Sequence, residues 1–216
     1  TYGIAGDGPP EFTKPSCLGV MAQRSSEIGG KPSDVVRTLD AVLDRTLALG
    51  AAVAVSFDAP RQEIAVWLDT TGLSASLTSA ERRVVDGLSS KQQTINVSWQ
   101  SERLLVLLWA LGKVADLPFR GEQCSTAFLE ELLPPYGAEE VNEFRLNASL
   151  RNQEELFNMA WELQELHVVA RKRQDTPDYR STVPSVQLEV VRERHHAINW
   201  IVGYGSKPWD EITTDT

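Results

Sequence analysis

The sequence predicts a mainly α-helical, single-domain bundle of about six helices, on three observations. Apolar residues recur at spacings of three and four along much of the 216-residue chain, the repeat that lines one face of a helix. Capping and stop signals punctuate those stretches. The composition, 42% hydrophobic and 24% charged, matches ordinary globular usage and supports one sizeable core. Residues 1–30 read as a partly irregular extension ahead of a helical domain over 31–216.

Taken in order, "KPSDVVRTLDAVLDRTLALGAAVAV" places Val35, Val36, Leu39, Val42, Leu43, Leu47 and Leu49 on one helical side, with Pro32 and Ser33 opening the helix. The stretch 52–68 is ambiguous. Its "EIAVWL" fits a short strand or hairpin as well as a helical turn, and Pro60 and Gly72 act as breakers. In "LTSAERRVVDGL", Thr78 precedes Glu81 by three residues, the capping-box spacing in which each side chain satisfies the other's backbone donor. Gly87 closes that short helix. "KQQTINVSWQSERLLVLLWALGKV" reads as one central helix, apolar on every side from Leu104 to Leu111 and therefore surrounded by other elements. A short helix over "STAFLEELLPPYG" stops at Pro134 and Pro135. A long one follows in "NQEELFNMAWELQELHVVARKRQ", with Leu156, Ala160, Leu163, His167 and Ala170 on one stripe. After a surface loop, "DTPDYRSTVP", the last helix runs through "SVQLEVVRERHHAINWIVGYG", capped by Ser185 and ended by Gly203.

Composition also narrows the partners. Acidic residues exceed basic ones by nine and the pI is near 4.9, which opposes the phosphate-neutralising surface that nucleic acids or anionic membranes require. No apolar run approaches the about 18 residues that span a bilayer, and the N-terminus lacks signal-peptide order. A soluble, cytoplasmic protein is expected. Cys17 and Cys124 stand apart with no CxxC motif, as two free thiols of a reducing compartment.

The residues that break pattern lie in the last helix. On a helical wheel Arg194 falls near the middle of the apolar arc and His195 near its edge, whereas Glu189, Arg192, Glu193 and His196 fall on the wet side. A guanidinium in a core requires a carboxylate that meets it with hydrogen bonds. The wheel of the central helix supplies Glu102, between Ile95, Trp99, Val106 and Trp109, as the first choice, with Asp210 and Asp215 of the tail as alternatives. Such a cluster is more often architectural than catalytic. As a catalytic set, His195 or His167 would act as base, Glu102 would orient it and Arg194 would hold an anion. No nucleophile elbow, phosphate loop or metal-ligand spacing supports that. His167, His195 and Asp215 are the conceivable ligands, yet no metal and no cofactor is expected. His167 reads as a hydrogen-bonded core histidine. Trp99, Trp109, Trp161 and Trp200 read as core, and Trp209 as the residue that pins the tail.

"NVSWQSERLLVLLWALG" followed by "RERHHAINWIVGYGSKPWDEITTDT" resembles the bacterial family known as domain of unknown function 4272, from about Lys31 onward. The residues that carry the likeness are Asn96, Trp99, Glu102, His167, Arg194, Ala197, Asn199, Trp200, Trp209, Asp210, Asp215 and Thr216. Where the family pattern often has an aromatic, this chain has His196. The resemblance implies a mainly helical bacterial protein and brings no activity, substrate or cofactor. The candidate polar cluster is therefore Glu102, Arg194, His195, His167, Asn199, Asp210, Asp215, Trp99 and Trp209. Two functions are open. One is a non-enzymatic interaction or regulatory module that meets a protein partner, a basic one by charge. The other is a hydrolase-like enzyme or small-ligand binder that holds an anionic substrate.

Overall fold

Thr38 starts the first helix of the computed structural model, which describes residues 35–117, 123–176, 178–182 and 185–216. Its hydroxyl accepts from the Ala41 N–H at 3.3 Å, and α1 runs over Leu39–Ser56. Pro32 and Ser33, expected to open this helix, lie outside the described residues. Val35 is exposed and non-helical rather than on the apolar stripe. The backbone explains why: Arg37 N–H donates to Ile201 O at 2.8 Å, tying 35–37 to the end of the last helix instead of to the next turn of α1.

Of the two readings open for 52–68 the helical one holds: the short strand or hairpin does not form, and there is no strand among the described residues. α1 continues to Ser56 and α2 occupies Arg61–Thr70. Ile64, Trp67 and Leu68, at i, i+3 and i+4, are its buried set, a helical repeat that the short "EIAVWL" run left indistinct. α3 covers Ser79–Val85 behind the Thr78–Glu81 capping box, with both reciprocal bonds made.

The expected central helix is two helices, α4 over Lys91–Ser98 and α5 over Ser101–Ala110. Between them the bonding tightens to i→i−3, with Gln100 N–H to Val97 O at 3.0 Å and Glu102 N–H to Trp99 O at 3.3 Å. Ile95, before that turn, is exposed, while Glu102, after it, is buried. Every residue from Leu104 to Leu111 is buried, as the all-round apolar pattern requires.

α6, Thr126–Leu132, stops before Pro134. α7, Ala138–Leu146, was not foreseen in the charged stretch "AEEVNEFRL"; Val141 and Phe144, three apart, bury its inner side. α8, Gln153–Asp175, opens on an Asn152–Glu155 capping box and buries Leu156, Leu163, Leu166, His167 and Ala170. Trp161, expected in the core, is exposed because it lies two residues from Leu163, round the helix from the stripe. α9, Leu188–Ile201, begins at Gln187 with no side-chain cap, later than Ser185. Gly203 ends it at φ 76°, and a Cβ there would lie 2.2 Å from Val35 O, so only glycine fits the junction.

Nine helices among the described residues thus replace the expected six. α5 packs between α1 and α9, α8 covers the other side of α9, and α3 and α4 lean on α1. These residues belong to a unit running from Ser33 to Thr216. Among the described residues no helix is long and apolar enough to cross a membrane. The expected extension over 1–30 lies outside them.

Candidate functional site

Glu102 sits in the first turn of α5, fully buried, and both its oxygens are taken. Oε2 accepts from Arg194 Nε at 2.8 Å, and Oε1 accepts from the Cys124 backbone N–H at 2.6 Å. The helix N-terminus also favours a carboxylate there. Arg194 reaches across from α9 and is equally buried. Burial, and after it the Glu102 charge, push the Cys124 thiol up to about 12, so it stays protonated and poorly nucleophilic at neutral pH. Cys124 is a free thiol, and Cys17 lies outside the described residues.

On the same turn of α9, His195 meets His167 of α8, Nδ1 to Nδ1 at 3.1 Å with the rings nearly perpendicular. Burial pushes both down to about 4; for His167 the Arg171 and Arg192 charges add to it, and for His195 the His167 charge does, against an opposing pull from Asp215 and Asn199. Both rings are neutral at pH 7, and one donates its Nδ1 proton to the other. The tail closes over this pair. Asn199 Nδ2 donates to Thr213 O at 3.1 Å, Thr213 Oγ1 donates to Asp215 Oδ2 at 2.8 Å, and Arg171 Nη1 donates to Thr216 O and Oγ1 at 2.9 Å. Among the described residues no three histidine, cysteine or carboxylate groups converge as metal ligands.

The sequence did not expose a second buried polar cluster, gathered around Trp209. The tail turn Trp209–Glu211 inserts this indole edge-on against His196 and Trp200, with ring centroids 4.9 and 5.2 Å apart. The Arg45 guanidinium stacks at 4.7 Å from its centroid and Arg103 at 5.8 Å. Arg45 donates to Glu81 Oε2 at 2.7 Å and to Ser76 O at 2.6 Å, while the same Glu81 oxygen accepts the Thr78 N–H at 2.9 Å. Arg103 pairs with Glu193 and lies 3.2 Å from His196 Nε2. Glu193 and His196, placed by the wheel on the wet side, are therefore buried, because the wheel of one helix cannot register a cover supplied by α5 and the tail. Burial, then Arg103, push His196 down to about 2. Arg45 was findable: on the wheel of α1 it falls between Leu49 and Ala52.

Two expected members border these clusters, Trp99 through its carbonyl, which accepts from the Glu102 N–H, and Asp210 through its nearness to Glu81, Arg45 and Arg103. Trp99 is half-buried at the α4–α5 turn, and Asp210 is exposed, its carboxyl raised by partial burial and by the Glu81 charge.

A groove of about 530 Å³ opens elsewhere, between the outer face of α2 and the turn joining α6 to α7, with Glu63, Val66, Trp67, Thr70, Tyr136 and Gly137 among its walls. None of the expected site residues reaches it.

No curated protein and no solved structure matches the chain. Residues 21–212, which span α1 to α9, match the family model described as "Domain of unknown function (DUF4272)", and the chain belongs to that family.

Proposed function

We propose that the protein is a non-enzymatic binding module that acts by docking a protein partner, a basic one by charge. The observation that carries this reading is the closure of the Glu102–Arg194 pair, with both carboxylate oxygens hydrogen-bonded inside the fold. A hydrolytic site needs a base or an anion-holding group that faces substrate. The His167–His195 pair is turned inward on itself and the Cys124 thiol is held protonated. The acidic excess of nine supplies complementarity to a basic surface.

The test is the unfolding midpoint of the protein against a mixed panel of divalent metals and anionic metabolites. No shift is expected. A rise of several degrees that Arg194→Met abolishes would overturn the reading. One observation favours the second reading, a hydrolase-like enzyme or small-ligand binder. Beneath Trp209, Arg45 Nε and Glu81 Oε1 are buried without a partner, and a small polar ligand there would satisfy both. A shift abolished by Glu81→Gln would support it.

A further inference from the structure

The α2 groove differs from both buried clusters in being open and apolar-floored. Val66 is 63% exposed and Tyr136 is 43% exposed, large apolar surfaces that a monomer gains nothing by showing. Glu63, Val66 and Thr70 recur along one face of α2, and Tyr136 faces them edge-on to Trp67, centroids 5.1 Å apart. Trp67 itself is 6% exposed, yet its indole N–H has no acceptor in the protein. A buried indole N–H normally finds one.

Acids surround this floor. Glu63 stands in the first turn of α2. The Glu140 carboxylate packs against Gly137, so closely that a Cβ at that glycine would lie 1.9 Å from Oε2. Glu130 lies near enough to act on Tyr136, whose phenol is pushed up to about 12 by burial and then by that charge. Among the described residues the cation–π contacts fall on Trp109, Phe144, Tyr179, Trp200 and Trp209, and none falls on Trp67. At Trp209 the chain supplies its own guanidinium; at Trp67 it supplies nearby carboxylates and, among the described residues, no cation over the ring.

We propose that this groove docks an extended peptide segment of a protein partner, bearing a basic side chain next to an apolar one. The basic group meets Glu63 and Glu140, the apolar one covers Val66 and Tyr136, and a backbone carbonyl accepts from Trp67 Nε1 once the Tyr136 ring swings aside. The proposal rests on the binding-module reading above and names its surface and the chemistry of its partner. An open trough between a helix face and a turn suits a strand of peptide better than an enclosed metabolite, which calls for several convergent polar groups.

The probe is a labelled pentapeptide, acetyl-Lys-Leu-Arg-Leu-Lys-amide, with acetyl-Glu-Leu-Glu-Leu-Glu-amide as its charge-reversed control, titrated with the full chain by fluorescence anisotropy. The basic peptide is expected to bind in the range of about 10–500 μM, weakening severalfold between about 50 and 300 mM salt, while the control does not bind. Glu63→Lys and Val66→Glu, both on exposed positions that leave the core intact, are each expected to weaken binding about tenfold. Trp67→Phe, which keeps a ring and removes the N–H, is expected to weaken it about fivefold. Equal binding of the two peptides, no binding of either, or binding unchanged in Glu63→Lys and Val66→Glu would overturn the groove assignment. A concentration-dependent dimer in sedimentation that Val66→Glu disrupts, with no peptide binding, would make a second copy the occupant and overturn it too. The binding-module reading is judged separately by the metabolite panel, so the groove can fail while that reading stands.

Discussion

Two buried carboxylate–guanidinium pairs hold this fold, and they are built differently. Glu102–Arg194 and Glu81–Arg45 make contacts of 2.8 and 2.7 Å, all four side chains being buried. Glu102 spends one oxygen on Arg194 and the other on the Cys124 N–H. Glu81 places two bonds on Oε2, from Arg45 and from Thr78 N–H, and leaves Oε1 with none, as Arg45 leaves Nε. The first pair is finished by the protein; the second leaves one oxygen and one nitrogen buried without a hydrogen-bond partner among the described residues. Closure of a polar cluster, rather than its burial, separates architecture from a site that can accept something.

The largest expected effect follows from the closed pair. Glu102→Gln removes the carboxylate that meets the buried Arg194 Nε and is expected to cost about 3–5 kcal/mol in denaturant unfolding. Replacing both partners, Glu102→Leu with Arg194→Met, is expected to recover part of that loss and to stop short of parent stability, because the Cys124 N–H then loses its acceptor at about 1–3 kcal/mol. Full recovery would show that the Cys124 bond contributes nothing. Next is Trp209→Ala, which strips the cover from Arg45, Arg103 and His196 and is expected to cost about 3 kcal/mol. A loss under about 1 kcal/mol would mean that the tail is only loosely docked.

Glu81→Gln is expected to cost less, about 2 kcal/mol, since an amide oxygen in the place of Oε2 can keep both bonds, whereas at Glu102 the two bonds fall on different oxygens. A cost equal to that of Glu102→Gln would erase the distinction between the two pairs. The last effect is graded with pH and appears only in acid. His167 and His195 titrate near 4 when folded and near 6.5 when unfolded. Between those values the unfolded chain binds more protons, so stability is full above about pH 6.5 and declines as the pH falls toward 4, by about 1.4 kcal/mol per pH unit for each histidine. His195→Gln is expected to flatten that slope; an unchanged slope would assign it to carboxylates.

How much of this was legible in the sequence depends on how many elements each feature needs. Glu102 and Arg194 announced themselves because each breaks the apolar side of its own helix, and a buried guanidinium demands a buried acid. The Thr78–Glu81 capping box was equally local. It also hid the other half of Glu81, whose contact with Arg45 spans α1 and α3. His196 and Glu193 were misplaced because α5 and the tail together bury what the α9 wheel leaves wet. The break at Trp99 and Gln100 carries no proline or glycine to mark it, only a tightening of hydrogen bonds. Trp67 and Tyr136 lie 69 residues apart, on a helix whose short run fits strand as well as helix and on a turn, so no periodicity joins them.

The central claim, that Glu102 and Arg194 form a structural pair and not a held-open site, is tested most directly by a double-mutant cycle. It compares the parent, Glu102→Gln, Arg194→Met and the double variant by denaturant unfolding at neutral pH. A coupling energy above about 2 kcal/mol with an unchanged denaturant slope is expected. A coupling below about 0.5 kcal/mol, with each single variant as stable as the parent, would contradict the account and return both residues to candidacy as ligand-binding groups.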